Sequence, residues 1–131
     1  MKTQTSNICP CGSNREFCGC CARHLDGGAP APSAEALMRS RYTAYTLQRE
    51  DYLLATWHPS TRPAALGLAE DIAPKWLGLE VKRHEQQDDE HASVEFVARF
   101  KIQGRAHRLH ETSRFVKEHG RWLYVDGDIK T

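Results

Sequence analysis

At 131 residues the chain is long enough for one domain of ordinary size plus a small appendage. Its formal charge of +1 is spread along the sequence, which gives no global electrostatic case for nucleic acid or an anionic membrane. No window approaches the roughly 20 apolar residues that span a bilayer, and Met1 to Cys9 lacks the apolar run of a secretory signal, so a soluble cytoplasmic protein is expected.

The first element is a cysteine segment over residues 1–25. All five cysteines (9, 11, 18, 20 and 21) lie here, and an odd count without an export signal points to reduced thiols and a metal site rather than disulfides. Neighbours such as Cys20 and Cys21 can hardly pair without strain. Cys9, Cys11, Cys20 and Cys21 are the expected ligands. Four thiolates fill a tetrahedral shell, and soft ligands favour one structural zinc ion over magnesium or calcium. Pro10 stiffens the first ligand pair, Gly12 lets the backbone turn after Cys11, and Arg15 and Arg23 are placed to balance the excess negative charge. Cys18 is spare, either a tolerated thiol or one that makes the site oxidation-sensitive. His24 is the other nearby candidate ligand, but the four cysteines suffice. The competing reading is a set of reduced cysteines without metal, or a redox-active thiol cluster.

Residues 26–33, Asp-Gly-Gly-Ala-Pro-Ala-Pro-Ser, read as a connector. Loss of the metal is therefore expected to unfold residues 1–25 and leave the domain at 34–131 standing. Ser33 is a good N-cap for a helix running to about Gln48. Leu37, Met38, Tyr42 and Tyr45 recur at helical spacing as its buried stripe, with Arg39, Arg41 and Arg49 off it. Those arginines form a modest basic edge, expected to pair with Glu35 or Asp51. A second helix is expected over about Asp51 to Trp57, and a third short turn from Ser60 to Pro63.

The second half changes period. Leu77, Leu79 and Val81 alternate, and beyond the turn at Asp88 to Glu90 a longer strand follows. In it Ala92, Val94, Phe96, Ala98, Phe100 and Ile102 share one face. Gln103-Gly104 and His119-Gly120 each read as two-residue hairpin loops. Helices followed by an antiparallel meander define an α+β domain with helices laid on one face of a curved sheet. His107 and His110 fall on opposite strand faces, a poor metal pair. Trp57, Trp76 and Trp122 read as core or rim packing, since they are not interleaved with a basic stripe as nucleic-acid binding requires.

Two resemblances sharpen this picture. Cys9-Pro-Cys-Gly-Ser13 followed by Cys20-Cys21 resembles the SEC-C zinc motif found at the C-terminus of the SecA translocase ATPase, although the last ligand there is commonly histidine. Leu37-Met-Arg-Ser-Arg-Tyr42, Thr56-Trp-His-Pro59, Trp76-Leu-Gly-Leu79, Phe96-Val-Ala-Arg-Phe100 and Val125-Asp-Gly127 resemble the YchJ-type family of bacterial proteins, and the match covers nearly the whole chain. That resemblance implies a nuclear-transport-factor-2-like cone. It implies a fold and a metal rather than a reaction.

Domains of this shape often enclose a pocket, but the fold alone licenses no activity. If Gln103-Gly104 is a two-residue loop, Phe96 sits opposite Glu111, on the face that carries Ser113. If His119-Gly120 is another, Ser113 sits opposite Asp126. Glu111, Ser113 and Asp126 would then converge under the helices, within reach of Tyr42 or His58, as a candidate acid–base or ligand pocket. The alternative is structural, with Glu111 tied to an arginine such as Arg41 and Asp126 shaping a turn. The reading adopted is a non-enzymatic binding or adaptor protein. Its zinc knuckle would meet a protein partner, and the outer sheet face is a candidate for a homodimer. A small-molecule enzyme or sensor using the cone is the alternative, and a thiol-redox role centred on Cys18 comes third.

Overall fold

The computed structural model describes residues 8–68 and 74–129. Among the described residues the knuckle contains a 3₁₀ turn, Phe17–Gly19, and helix α1, Ala22–Leu25. Two further helices follow, α2 (Ala34–Thr46) and α3 (Glu50–Ala55), and then strands β1 (Lys75–Gln86), β2 (His91–Ile102), β3 (Arg105–Glu118) and β4 (Arg121–Ile129). The strands form one antiparallel sheet in sequential order, as a meander of tight hairpins requires. None of the described helices is long and apolar enough to cross a membrane.

Helix α2 begins where the sequence placed it: the Ser33 Oγ accepts from the Ala36 amide at 3.1 Å, and Glu35 in the first turn suits the positive end of the helix dipole. Arg39 pairs with Glu35 at 3.1 Å across one turn. Burial is not confined to one stripe, however. Ser40, Arg41 and Thr43 are buried along with Leu37, Met38 and Tyr42, because the helix is covered by the knuckle, by α3 and by the sheet. Arg41, expected off the buried stripe, lies inside. Helix α3 runs Glu50–Ala55, and the Ser60–Pro63 segment forms a hydrogen-bonded turn rather than a helix, closed by the Thr61 amide on the His58 carbonyl at 3.1 Å. The Thr61 hydroxyl donates to the Val125 carbonyl at 2.6 Å, so this turn is held against β4 and has no helical ladder to continue.

Both two-residue loops form as read. Ile102 pairs with Arg105 and Glu118 with Arg121. Gln103 and Gly104 have φ of 51° and 82°, and His119 and Gly120 have 54° and 76°, the left-handed pair that matches the twist of a hairpin. Phe96 accordingly faces Glu111. Three register shifts interrupt the ladders, two in β1 (Trp76/Gly78 and Val81/Arg83) and one between β3 and β4, and such shifts change which side chains face inward. In β1 the register shifts between Trp76 and Gly78, which turns Leu77 outward, 48% exposed, and sends Trp76 into an aromatic cluster with Tyr42, Tyr45 and Phe100. In β4 one extra residue falls between Tyr124 and Asp126, so Ser113 pairs with Gly127 and Arg114 with Asp126. Asp126 therefore leaves the inner face, and its Oδ1 takes the Arg114 Nε at 2.7 Å on the outside.

The knuckle is not a free appendage. Cys9, Cys11, Cys20, Cys21 and Leu25 belong to one buried cluster with Leu37, Tyr42, Val94, Phe115 and Trp122. The connector is tied as well: Ala29 donates to the Arg23 carbonyl at 2.9 Å, His24 Nδ1 meets the Ala29 carbonyl at 2.7 Å, and Arg49 grips Asp26 at 2.8 Å and the Leu25 carbonyl at 3.1 Å. The cysteine segment and the cone thus share one buried cluster.

The bulge makes a measurable claim about Asp126. An exposed ion pair is worth little, so Asp126→Asn should change stability by less than about 1 kcal/mol in urea unfolding; a much larger loss would place the carboxylate back inside the cone.

Candidate functional site

Two sites emerge, a thiol cluster and a cavity, and they lie on different sides of α2. The cluster is assembled from three short pieces of backbone. Ile8 and Glu16 form an antiparallel bridge, the Cys9 amide donates to the Arg15 carbonyl at 2.8 Å, and the 3₁₀ turn delivers Cys20 through a bond to the Phe17 carbonyl at 3.0 Å. Cys21 caps α1. The sulfur atoms of Cys9, Cys11, Cys20 and Cys21 all lie within 4.8 Å of one another, and all four residues are buried.

Cys11 and Cys20 sulfurs are 3.6 Å apart and those of Cys20 and Cys21 are 4.0 Å apart. A tetrahedron with metal–sulfur bonds of about 2.3 Å has edges of about 3.8 Å, so the donor set fits one ion. Without a cation the four thiols cannot all ionise. Cys21 is pushed up by its contacts with Cys11 and then Cys9, and by burial, whereas hydrogen bonds from Cys11 and Cys21 draw Cys9 down. A bound cation removes that conflict.

The surroundings hold the cluster in place. Ser13 Oγ lies 3.2 Å from the Cys20 sulfur, Thr43 of α2 donates to the Cys21 sulfur at 3.3 Å, and Arg39 donates to the Cys11 carbonyl at 2.7 Å. Gly12 turns with φ of 85°, and a Cβ there would stand 2.7 Å from the Leu79 carbonyl oxygen, so glycine is needed both for the turn and for close docking on β1. Arg15, Arg23 and Arg39 line a shallow cleft against Cys20 and Cys21. Cys18 points away, exposed, with its sulfur 4.0 Å from a Glu16 oxygen. His24 is buried on the Ala29 carbonyl, outside the cluster.

The cavity lies between α2 and the sheet and measures about 260 Å³. Of the five residues expected there, Tyr42, Glu111 and Ser113 line it, and the Ser113 hydroxyl donates to Glu111 Oε2 at 2.8 Å. Asp126 is on the outer face, and His58 sits at the far end of β3 on Glu118 Oε2 at 2.7 Å. His58 is carried there because its amide bonds to the Tyr124 carbonyl at 2.7 Å. The acid–base set thus comes apart. The cavity gains Arg41, Tyr45, Trp76 and Tyr124 instead. Arg41 does not pair with Glu111; its Nη1 donates to the Leu53 carbonyl at 2.8 Å and Thr56 Oγ1 at 2.7 Å. Arg41, read as lying off the buried stripe, stands four residues after Leu37 and four before Tyr45, and that spacing is the signal in the sequence that could have found it.

Comparison with known proteins agrees with the fold and with the cysteine motif. The family model described as YchJ, middle NTF2-like domain, matches residues 33–127, beginning at the N-cap of α2. A UPF0225 protein of Chromobacterium violaceum is 60% identical over 130 residues, covering 96% of either chain. One from Cupriavidus pinatubonensis is 57% identical over 131 residues, 95% of this chain and 90% of the relative. The solution structure of a SEC-C motif containing protein from Rhodopseudomonas palustris superposes with a TM-score of 0.82 at 35% identity, covering 94% of this chain and 98% of that one. A crystal structure of a SEC-C motif containing protein from Psychrobacter arcticus gives 0.78 at 29% identity, covering 95% and 83%.

Two outcomes follow from this geometry. Gly12→Ala forces an unfavourable backbone state worth about 1–2 kcal/mol and a clash with β1, so it should destabilise the whole domain in chemical unfolding by more than that amount; a silent substitution would mean the knuckle does not dock as described. Burial also raises all four tyrosines, Tyr42 and Tyr124 to about 12 and Tyr45 and Tyr52 in the same direction. The folded chain then keeps phenol protons that the unfolded chain releases above the ordinary value of 10.0. Stability should be intact below pH 10 and fall as pH rises toward about 12, with tyrosinate absorbance of the folded protein lagging that of the denatured chain.

Proposed function

The chain belongs to the YchJ-type UPF0225 family, and on that premise we propose that it is a non-enzymatic binding protein whose Cys9, Cys11, Cys20 and Cys21 hold one structural zinc ion. The observation that carries this is the closed thiol tetrahedron packed into the core. Four protein ligands leave no open position for water or substrate, so the ion's contribution is to cross-link the knuckle. Thiolate softness favours zinc over the hard cations, and the likeness to two SEC-C motif containing proteins points the same way. Four free thiols also suit the reducing interior of a cell, which fits a cytoplasmic protein.

Binding rather than turnover is favoured by the dispersal of the acid–base set. Glu111 has a hydroxyl neighbour, but His58 and Asp126 lie elsewhere, and a general acid or base must stand within hydrogen-bond reach of its partner. With the thiols turned toward α2, a protein partner would meet the knuckle at its mostly exposed rim, residues 12–19.

Native mass spectrometry of protein purified without added metal or chelator should give one zinc per chain. Cys21→Ser should lose the ion and lower the unfolding midpoint of the whole domain in a single transition followed by tryptophan fluorescence, at a cost on the order of several kcal/mol. A metal-free native protein would overturn the structural zinc; a cone that unfolds unchanged after Cys21→Ser would separate the knuckle from the core.

A further inference from the structure

The cavity under α2 contains a feature that neither the fold nor the metal site explains. Arg41 is only 4% exposed, yet no carboxylate pairs with it among the described residues. Its Nη1 spends both hydrogens on the Leu53 carbonyl and Thr56 Oγ1. The three remaining N–H groups, on Nε and Nη2, have no hydrogen-bond partner among the described residues. The guanidinium rests against the rings of Tyr124 and Trp57, 4.6 and 5.1 Å from their centroids, and that contact recovers only part of the cost of taking a charge out of water. A buried cation with unused donors lining a cavity, offset only by the longer-range charge of Glu111, is a place where a bound anion would find a partner.

The other charged group in the lining is Glu111. Its Oε2 is held by Ser113 at 2.8 Å, and Gly127 leaves room for it, since a Cβ there would collide with the carboxylate. Glu111 and Arg41 face the same space without pairing. Much of the remaining lining is aromatic or apolar, with Tyr45, Trp76, Phe96 and Leu109. The volume of about 260 Å³ falls below the roughly 300–1,000 Å³ typical of drug-sized ligands, which limits the occupant to a single ring with short substituents.

We propose that the cavity binds a small aromatic carboxylate that carries a hydroxyl or amino group at the far end of its ring, the carboxylate on the free N–H edge of Arg41 and the donor on Glu111. A planar guanidinium fork matches a carboxylate with two parallel hydrogen bonds. The Glu111 carboxylate accepts only, so it rejects a second anion and selects a donor. The aromatic walls take the ring between these poles. This inference rests on the reading of the chain as a binding protein.

The test uses the zinc-loaded full chain, titrated with 4-hydroxybenzoate and 4-aminobenzoate and followed by amide and indole chemical shifts, with benzoate and phenol as probes that each lack one pole. The expected result is saturable binding of the two bipolar probes, with shifts centred on the Trp76 indole and the amides of Glu111 and Ser113. Benzoate and phenol should each bind about tenfold or more weakly, the loss expected when one buried polar group is left unpaired. Because Arg41 also ties α2 to α3, Arg41→Met is expected to abolish binding but also to strain the fold. Leu109→Trp fills the cavity without touching those ties, and should abolish binding while the protein stays folded. Glu111→Gln should weaken 4-aminobenzoate and leave benzoate unchanged. Absence of saturable binding by either bipolar probe, or binding indifferent to Leu109→Trp, would overturn the proposal. Native mass spectrometry of the same sample reads zinc independently, so an empty cavity with one bound zinc refutes the ligand alone.

Discussion

Outside the sheet's own ladders, the parts of this protein meet at helix α2, which touches the knuckle, α3 and the sheet and is buried on three sides although its sequence carries two arginines, one serine and two threonines. A buried polar group is tolerable only when it is bonded, and here each such group serves as a hook to a different neighbour. Ser40 reaches Tyr52 of α3 at 2.7 Å, Arg41 holds the end of α3, Thr43 donates into the thiol cluster and Arg39 holds the Cys11 carbonyl. The apolar side chains Leu37, Met38 and Tyr42 meet the sheet. Displacing α2 would orphan several buried donors at once, so the position of the knuckle, the second helix and the cavity wall are set together.

This arrangement alters the physical meaning of the cysteine cluster. In an isolated knuckle, a metal ion would stabilise little beyond its own loop. Here the sulfurs lie in the same core as Val94, Phe115 and Trp122, and the connector is fastened at Asp26, Leu25 and Ala29. The short 3₁₀ turn and the four-residue α1 are too small to persist alone. Their order comes from packing against α2 and β1, where Gly12 approaches the Leu79 backbone more closely than any other residue could, and a metal held by the sulfurs would add a cross-link to it.

The cavity owes its character to the sheet irregularities as much as to the helix. The β4 bulge takes Asp126 away and puts Gly127 beside Ser113, which leaves room for the Glu111 carboxylate. The β1 bulge turns Trp76 inward as an aromatic wall. One carboxylate, one unpaired cation and a ring of aromatic side chains remain, a composition suited to holding a small bipolar molecule and poorly suited to moving protons between two protein groups.

Much of this was legible from the residues. The cysteine spacing identified the four clustered thiols, because a tight turn through Pro10 and Gly12 and an adjacent pair at Cys20 and Cys21 allow little other geometry. Ser33, the alternation through Ala92 to Phe100 and the two glycine-containing hairpin loops identified the helix start, the central strand and the pairing of Phe96 with Glu111, since capping, side-chain alternation and left-handed backbone are local properties. The placement of Arg41, Asp126, His58 and the knuckle was not legible. A bulge adds a single residue and leaves no compositional mark, yet it exchanges the two faces of a strand from that point on. A charged helical residue reads as solvent-facing until the elements that cover it are known. Local chemistry determined the elements and the four clustered thiols; only the packing of those elements around α2 decided which polar groups were left facing the cavity.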